Sequence, residues 1–195
     1  DVGGDTGAVI TWHAGAAHTM SLVSGNGKSG TVGTALGEPF VVQIVDQYNN
    51  PVAGETVVFT ITSTPSGASG QSLSTLSDVT DSSGQASSTL TLGTKAGTYT
   101  VDATNTTVGS GSPQTFTATA TAGSFSHFDV APQDTSPEAG SAVDIVLTAM
   151  DANDNAIPNY TPGADVTLTA AGADDVTAGL VWGGVGVTDK ADLTG

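Results

Sequence analysis

The sequence predicts an all-β chain made of tandem two-sheet sandwiches. Three observations lead there: short segments in which apolar and polar residues alternate, clusters of turn-forming residues between them, and an ordered set of landmarks that returns along the chain.

The alternating segments are residues 40–45, 56–62, 88–92, 98–103 and 115–120. In the second of these, Val57, Phe59 and Ile61 fall on one face, and Thr56, Thr60 and Thr62 on the other. A period of two is that of a half-buried antiparallel strand, whose side chains point in turn to core and solvent. Between the segments lie Asn49-Asn50-Pro51 and Ser83-Gly84, which supply the left-handed or Pro-fixed backbone that joins such strands. No stretch holds a helical period over three turns. Thr occurs 31 times and Gly 26 times while Lys and Arg together number three, a balance that favours strands and turns over helices.

The charge excludes several functions. Nineteen acidic residues stand against Lys28, Lys95 and Lys190, with no Arg, for a formal charge of −16. Nucleic-acid binding needs clustered cations to displace counterions, and these are missing. Anionic membrane surfaces are disfavoured for the same reason. Only 11% of residues are charged, which separates the chain from a disordered acidic tail. Cysteine is absent, yet a sandwich of about 100 residues buries enough apolar surface to fold without disulfides. No apolar run reaches the roughly 18 residues of a membrane span, and Asp1 in place of Met reads as processing or excerpt.

The repeat sets the organisation. Residues 14–22 align with residues 122–130, 108 positions later; Asp46-Gln47-Tyr48-Asn49-Asn50 aligns with Asp151-Ala152-Asn153-Asp154-Asn155, 105 later; and Val79-Thr80-Asp81 aligns with Val187-Thr188-Asp189, again 108 later. Constant order and nearly constant spacing define a unit of about 105–108 residues, the size of one sandwich. Residues 17–122 are then a complete module. Residues 1–16 read as the closing strand of a preceding module, or as a donor or linker strand, because residues 8–13 resemble residues 115–120. Residues 123–195 read as a second module lacking its last strands. Uncovered core and unpaired edges are a liability, so two readings stand: a piece of a longer array, or strand exchange in which a neighbouring copy's N-terminal segment completes the second module.

Within residues 17–122, four motifs fall in order: Ser24-Gly25-Asn26-Gly27-Lys28-Ser29-Gly30-Thr31-Val32-Gly33; Asp46-Gln47-Tyr48-Asn49-Asn50-Pro51-Val52-Ala53-Gly54-Glu55-Thr56-Val57-Val58-Phe59; Thr80-Asp81-Ser82-Ser83-Gly84-Gln85-Ala86; and Leu90-Thr91-Leu92-Gly93-Thr94-Lys95-Ala96-Gly97-Thr98-Tyr99-Thr100-Val101. Together they resemble the bacterial immunoglobulin-like domains of the invasin/intimin group. The second module resembles them more loosely, with Asn159-Tyr160-Thr161-Pro162-Gly163 in place of the tighter Ala53-Gly54 link. The resemblance implies antiparallel Greek-key immunoglobulin-like sandwiches that act as a rigid stalk.

Candidate sites are few. Asp151, Asn153, Asp154 and Asn155 form the densest oxygen cluster, as a turn or as Ca²⁺ ligands, although the Gly and bidentate Glu of an EF-hand are missing. Asp46 and Asp81 are expected to accept bonds from turn N–H groups. Asp129, Asp134, Glu138, Asp174 and Asp175 are weaker candidates. Asn105-Thr106-Thr107 and Asn159-Tyr160-Thr161 fit the N-glycosylation pattern at Asn105 and Asn159. His13, His18 and His127 read as separate surface residues, with a shared metal the alternative, and Trp12 and Trp182 as core or junction aromatics. No catalytic constellation and no cofactor motif is present: there is no Cys nucleophile and no Gly-x-Ser-x-Gly elbow.

The expected function is a non-catalytic structural or adhesive module of a secreted or cell-surface protein, as stalk or as subunit of an extracellular fibre or layer. The alternatives are an accessory module of a large secreted enzyme and a subunit polymerising by strand exchange. Expected partners are neighbouring immunoglobulin-like modules of the same or adjacent chains, with any host, cell-surface or glycan ligand unnamed by the sequence.

Overall fold

The computed structural model describes residues 13–133, 135–136, 138 and 145–161. The expected leading strand before His13, Trp12, Asp134, the landmark at Val187-Thr188-Asp189, Asp174, Asp175 and Trp182 lie outside the described residues, as does the truncation expected of the second module. The chain divides into two compact units, Asp1–Thr121 and Ala122–Gly195.

The first unit has ten strands in chain order: β1 Thr19–Ser24, β2 Lys28–Thr31, β3 Phe40–Val45, β4 Thr56–Ser63, β5 Ser72–Leu73, β6 Ser77–Val79, β7 Gln85–Ser88, β8 Leu90–Thr91, β9 Gly97–Thr104 and β10 Gln114–Thr121. They form one sheet in the order β1-β3-β7, a second in the order β2-β10-β9-β4-β6, and a small β5-β8 ribbon. No helix occurs among the described residues. The alternation in the sequence determines the core. Phe40, Val42 and Ile44 of β3 point inward from the first sheet; Val57 and Phe59, Tyr99, Val101 and Ala103, and Phe116, Ala118 and Ala120 point inward from the second. Each large apolar side chain so buried contributes roughly 1.5–3 kcal/mol relative to exposure. Phe40 and Phe116 stack across the two sheets, centroids 4.6 Å apart at 23°. Tyr99 enters this interior because its hydroxyl reaches a partner, donating to Lys95 O at 2.8 Å, and burial raises its pKa.

Two features depart from the sequence reading. The segment expected as one strand over residues 88–92 is two, because β7 pairs with β3 and β8 pairs with β5. Ser88, Leu90 and Leu92 all stay buried across the break, so the period of two continues while the partner changes. The second departure is β2, which runs parallel to β10, from Lys28 beside Ala118 to Thr31 beside Thr121, in a fold otherwise paired antiparallel between its strands.

In the second unit, β11 Phe125–Pro132 pairs antiparallel with β12 Ile145–Asp151, with a bulge between Phe125 and His127. Phe125 stacks on Tyr160 at 4.6 Å, and Phe128 lies 4.9 Å from Phe125.

Candidate functional site

The polar groups that the sequence singled out are organised around aspartates that start turns. Asp46 closes β3 and is 2% exposed. Its Oδ1 accepts the N–H groups of Tyr48 and Asn50 at 2.8 and 2.9 Å, and the Asn50 amide donates to Oδ2 at 3.0 Å. Asn49 takes φ 65°, a left-handed conformation that Asn tolerates well. A further donor comes from far along the chain: Gly15 N–H reaches Oδ2 at 2.8 Å. The Asn50 amide first, then the Gly15 N–H, hold the Asp46 carboxyl well below its ordinary range.

The second unit repeats this arrangement at the aligned positions. Asp151, 1% exposed, accepts Asn153 N–H at 2.8 Å, Asn155 N–H at 2.9 Å, the Asn155 amide at 2.9 Å and Gly123 N–H at 2.7 Å. Asp154 takes φ 57° where Asn49 stands in the first unit. Burial pushes the Asp151 carboxyl up, but the Asn155 side chain and the three backbone donors outweigh it and hold it at about 2. Both carboxylates therefore face N–H donors on both oxygens. Of the four residues named as a candidate Ca²⁺ set, Asp151 and Asn155 are buried in this turn, while Asn153 and Asp154 are exposed. Among the described residues, no group of three His, Cys, Asp or Glu side chains is placed to hold a metal.

Asp81 makes a third turn of the same local form, accepting Ser83 N–H at 2.8 Å and Gln85 N–H at 3.1 Å. Here Gly84 takes the left-handed position at φ 71°, and a Cβ on it would lie 2.5 Å from Ile44 O, so only glycine fits. The turn sits against the Asp46 turn: Ile44 N–H donates to Gly84 O at 2.8 Å, and Thr80 Oγ1 donates to Val52 O at 2.8 Å.

Asn105 completes this end of the first unit. It is 5% exposed; its amide nitrogen donates to Thr56 O at 2.9 Å, and its Oδ1 accepts Thr107 and Val108 N–H at 2.9 and 3.0 Å. The nitrogen that a glycan would join is thus bonded inward in the folded unit. Asn159 is exposed, at φ 56°. His13 and His18 are exposed, His18 Nδ1 lying 3.0 Å from Thr19 Oγ1, and His127 Nε2 lies 3.3 Å from Asp154 Oδ1. Asp129 and Glu138 are exposed. An open groove between the edge strands β6 and β7 is lined by Pro39, Val41, Asp78, Val79, Asp81 and Gln85. Asp78 in it accepts Ser87 N–H at 2.8 Å, bridging the two sheets, and the lining carries no Cys, His or Lys.

Residues 38–121 match the family model of the bacterial Ig-like domain (group 1). β1 and β2 precede that match but pair with β3 and β10 inside it. No curated protein matches the chain. Among solved structures, the chain is similar to FdeC, an Escherichia coli adhesin, at 20% identity and TM-score 0.50 over 75% of this chain and 46% of that one. It is also similar to InvD of Yersinia pseudotuberculosis at 18% identity and TM-score 0.49, over 76% and 46%. The D0-D1 domains of intimin match at 20% identity and TM-score 0.41, over 69% and 65%. The chain thus spans about half the length of the first two, and the likeness to FdeC is one of fold.

Proposed function

We propose that this chain, whose residues 38–121 carry a bacterial Ig-like domain of group 1, is a non-catalytic stalk segment of a bacterial surface protein, holding an adhesive part of that protein away from the cell. The observation that carries the reading is the repeated aspartate turn. In each unit one buried carboxylate ties the first strand's approach, Gly15 or Gly123, to the turn after a core strand. A clasp that fixes how the chain enters its own unit, present in both units, suits a spacer segment built from repeated domains. Among the described residues, Asp46, Asp81 and Asp151 serve turns, which suits a spacer segment. Solved relatives in fold include an adhesin, which supports placing the chain at the cell surface.

The test is location and exchangeability. Antibodies to the purified chain should label intact producing cells, and replacing the segment by an unrelated sandwich array of equal length should leave adhesion unchanged. Labelling only after permeabilisation, or adhesion lost on exchange, overturns the proposal.

A further inference from the structure

The turn between β1 and β2 holds Asn26-Gly27, and none of the other six Asn residues of the chain is followed by Gly. A backbone nitrogen with no Cβ beside it approaches the preceding Asn side chain closely. Gly27 N can then attack Asn26 Cγ: the N–Cγ bond forms, the Gly27 proton goes to water or hydroxide, the Cγ–Nδ2 bond breaks, and ammonia leaves. Water opens the resulting succinimide at one of its two carbonyls. One product is Asp; the other is isoaspartate, in which the main chain runs through the former side chain. The reaction uses water alone, and Asn26 is exposed to it.

In the folded unit one residue holds both reacting groups. Gly27 N–H donates to Thr117 O at 2.9 Å, and Asn26 Oδ1 accepts Thr117 N–H at 2.9 Å and Thr117 Oγ1 at 3.3 Å. Thr117 belongs to β10, and β2 runs on beside it from Lys28 against Ala118. The side-chain carbonyl is thus turned onto β10, and the nitrogen keeps its proton on a carbonyl oxygen. Two donors on Oδ1 also polarise the bond to be attacked. That polarisation is idle unless nitrogen and carbon are free to align, and here each is tethered to a different atom of Thr117.

We propose that Asn26-Gly27 is a deamidation and isomerisation site that Thr117 keeps closed, and that it reacts when β2 parts from β10. Strands open locally in this way without global unfolding. Isoaspartate adds one methylene to the main chain between residues 26 and 27, so the two bonds to Thr117 no longer fit together. A passing separation of the strands is thereby turned into a permanent one. The site depends on the turn and its partner strand alone, whatever the chain carries or binds.

The test compares Asn26 with a second Asn-Gly pair, made by Ser66→Asn in the full chain. Ser66 and Gly67 are exposed, and Gly67 takes φ 73° against 71° for Gly27. Among the described residues, no β10 group bonds to either. The protein is held at mildly alkaline pH, folded in buffer and unfolded in urea, and deamidation is followed by peptide mass mapping with an isoaspartate methyltransferase assay. In urea the two sites should react at like rates. In buffer Asn26 should react at least about tenfold more slowly than the new site, and urea below the unfolding midpoint should speed Asn26 selectively. The parent chain in the same conditions gives the folded-to-unfolded ratio for Asn26 without any substitution. Equal rates of the two sites in buffer, or an Asn26 that reacts faster folded than unfolded, overturns the proposal. Chains isolated with isoaspartate at position 26 should lose hydrogen-exchange protection at the Val32 amide, which donates to Thr121 O in the parent. Full protection there would overturn the permanent separation.

Discussion

The turns at Asp46 and Asp81 share a local plan and differ in what lies beyond it. Each begins with an aspartate that accepts N–H groups two and four residues on, and each places one residue in the left-handed region. Asp46 is buried and also captures Gly15, 31 residues earlier, whereas Asp81 is exposed and its carboxylate accepts Ser83 and Gln85 N–H from within its own turn. At the left-handed position the contrast reverses. Asn49 has a side chain, but Gly84 lies against the backbone of the neighbouring turn and cannot have one. Local turn chemistry is thus common to both, and tertiary contact decides which atom in each turn is indispensable.

The largest expected effect is Gly84→Ala. A non-glycine residue at φ 71° costs on the order of 1–3 kcal/mol before the overlap with Ile44 O is added, so urea melts should show a loss of at least about 2 kcal/mol. Asn49→Gly, at the matching position, should be neutral within about 0.5 kcal/mol, and a comparable loss there would end the contrast between the turns. Next comes the carboxylate itself. Asp46→Ala should lower the Tm more than Asp81→Ala does, and should release the Gly15 amide to fast hydrogen exchange. A Gly15 amide that exchanges quickly in the parent chain would show that the long-range bond is not held in solution.

Acid sharpens the comparison further. Folded, the Asp46 carboxyl lies below its ordinary value of 3.8 and that of Asp151 is held at about 2; unfolded, both titrate near that ordinary value. As pH falls from about 4 towards 2, the unfolded chain binds more protons than the folded one, so stability is fully present above that window and declines through it. Asp46→Asn and Asp151→Asn should each flatten this decline, measured as the free energy of unfolding against pH. The smallest effect expected is from Ca²⁺. With both carboxylates already facing N–H donors, exchanging Ca²⁺ for a chelator should leave the Tm unchanged, and a clear rise with Ca²⁺ would show that these turns open to take the ion.

The sequence made β3, β4, β9 and β10 legible because their burial alternates with a period of two, as in Phe40, Val42 and Ile44. It also aligned each half of one aspartate clasp with its counterpart in the other unit, Gly15 with Gly123 and Asp46 with Asp151, but nothing in a linear alignment says that Gly15 touches Asp46 or Gly123 touches Asp151. β2 was hidden because Lys28-Ser29-Gly30-Thr31 has no apolar alternation and owes its conformation to β10. Asn105 looked like a surface acceptor because its motif is local, while its burial comes from Glu55, Thr56 and Ser112.

The position of β1 and β2 bears on how this protein is cut for study. A fragment begun at Glu38, where the family match starts, would strip one border from each sheet. The backbones of Phe40–Val45 and Gln114–Thr121 would then be left bare, two adhesive rims ready to recruit strands from other molecules. Such a preparation would clump for reasons belonging to the scissors rather than to the protein.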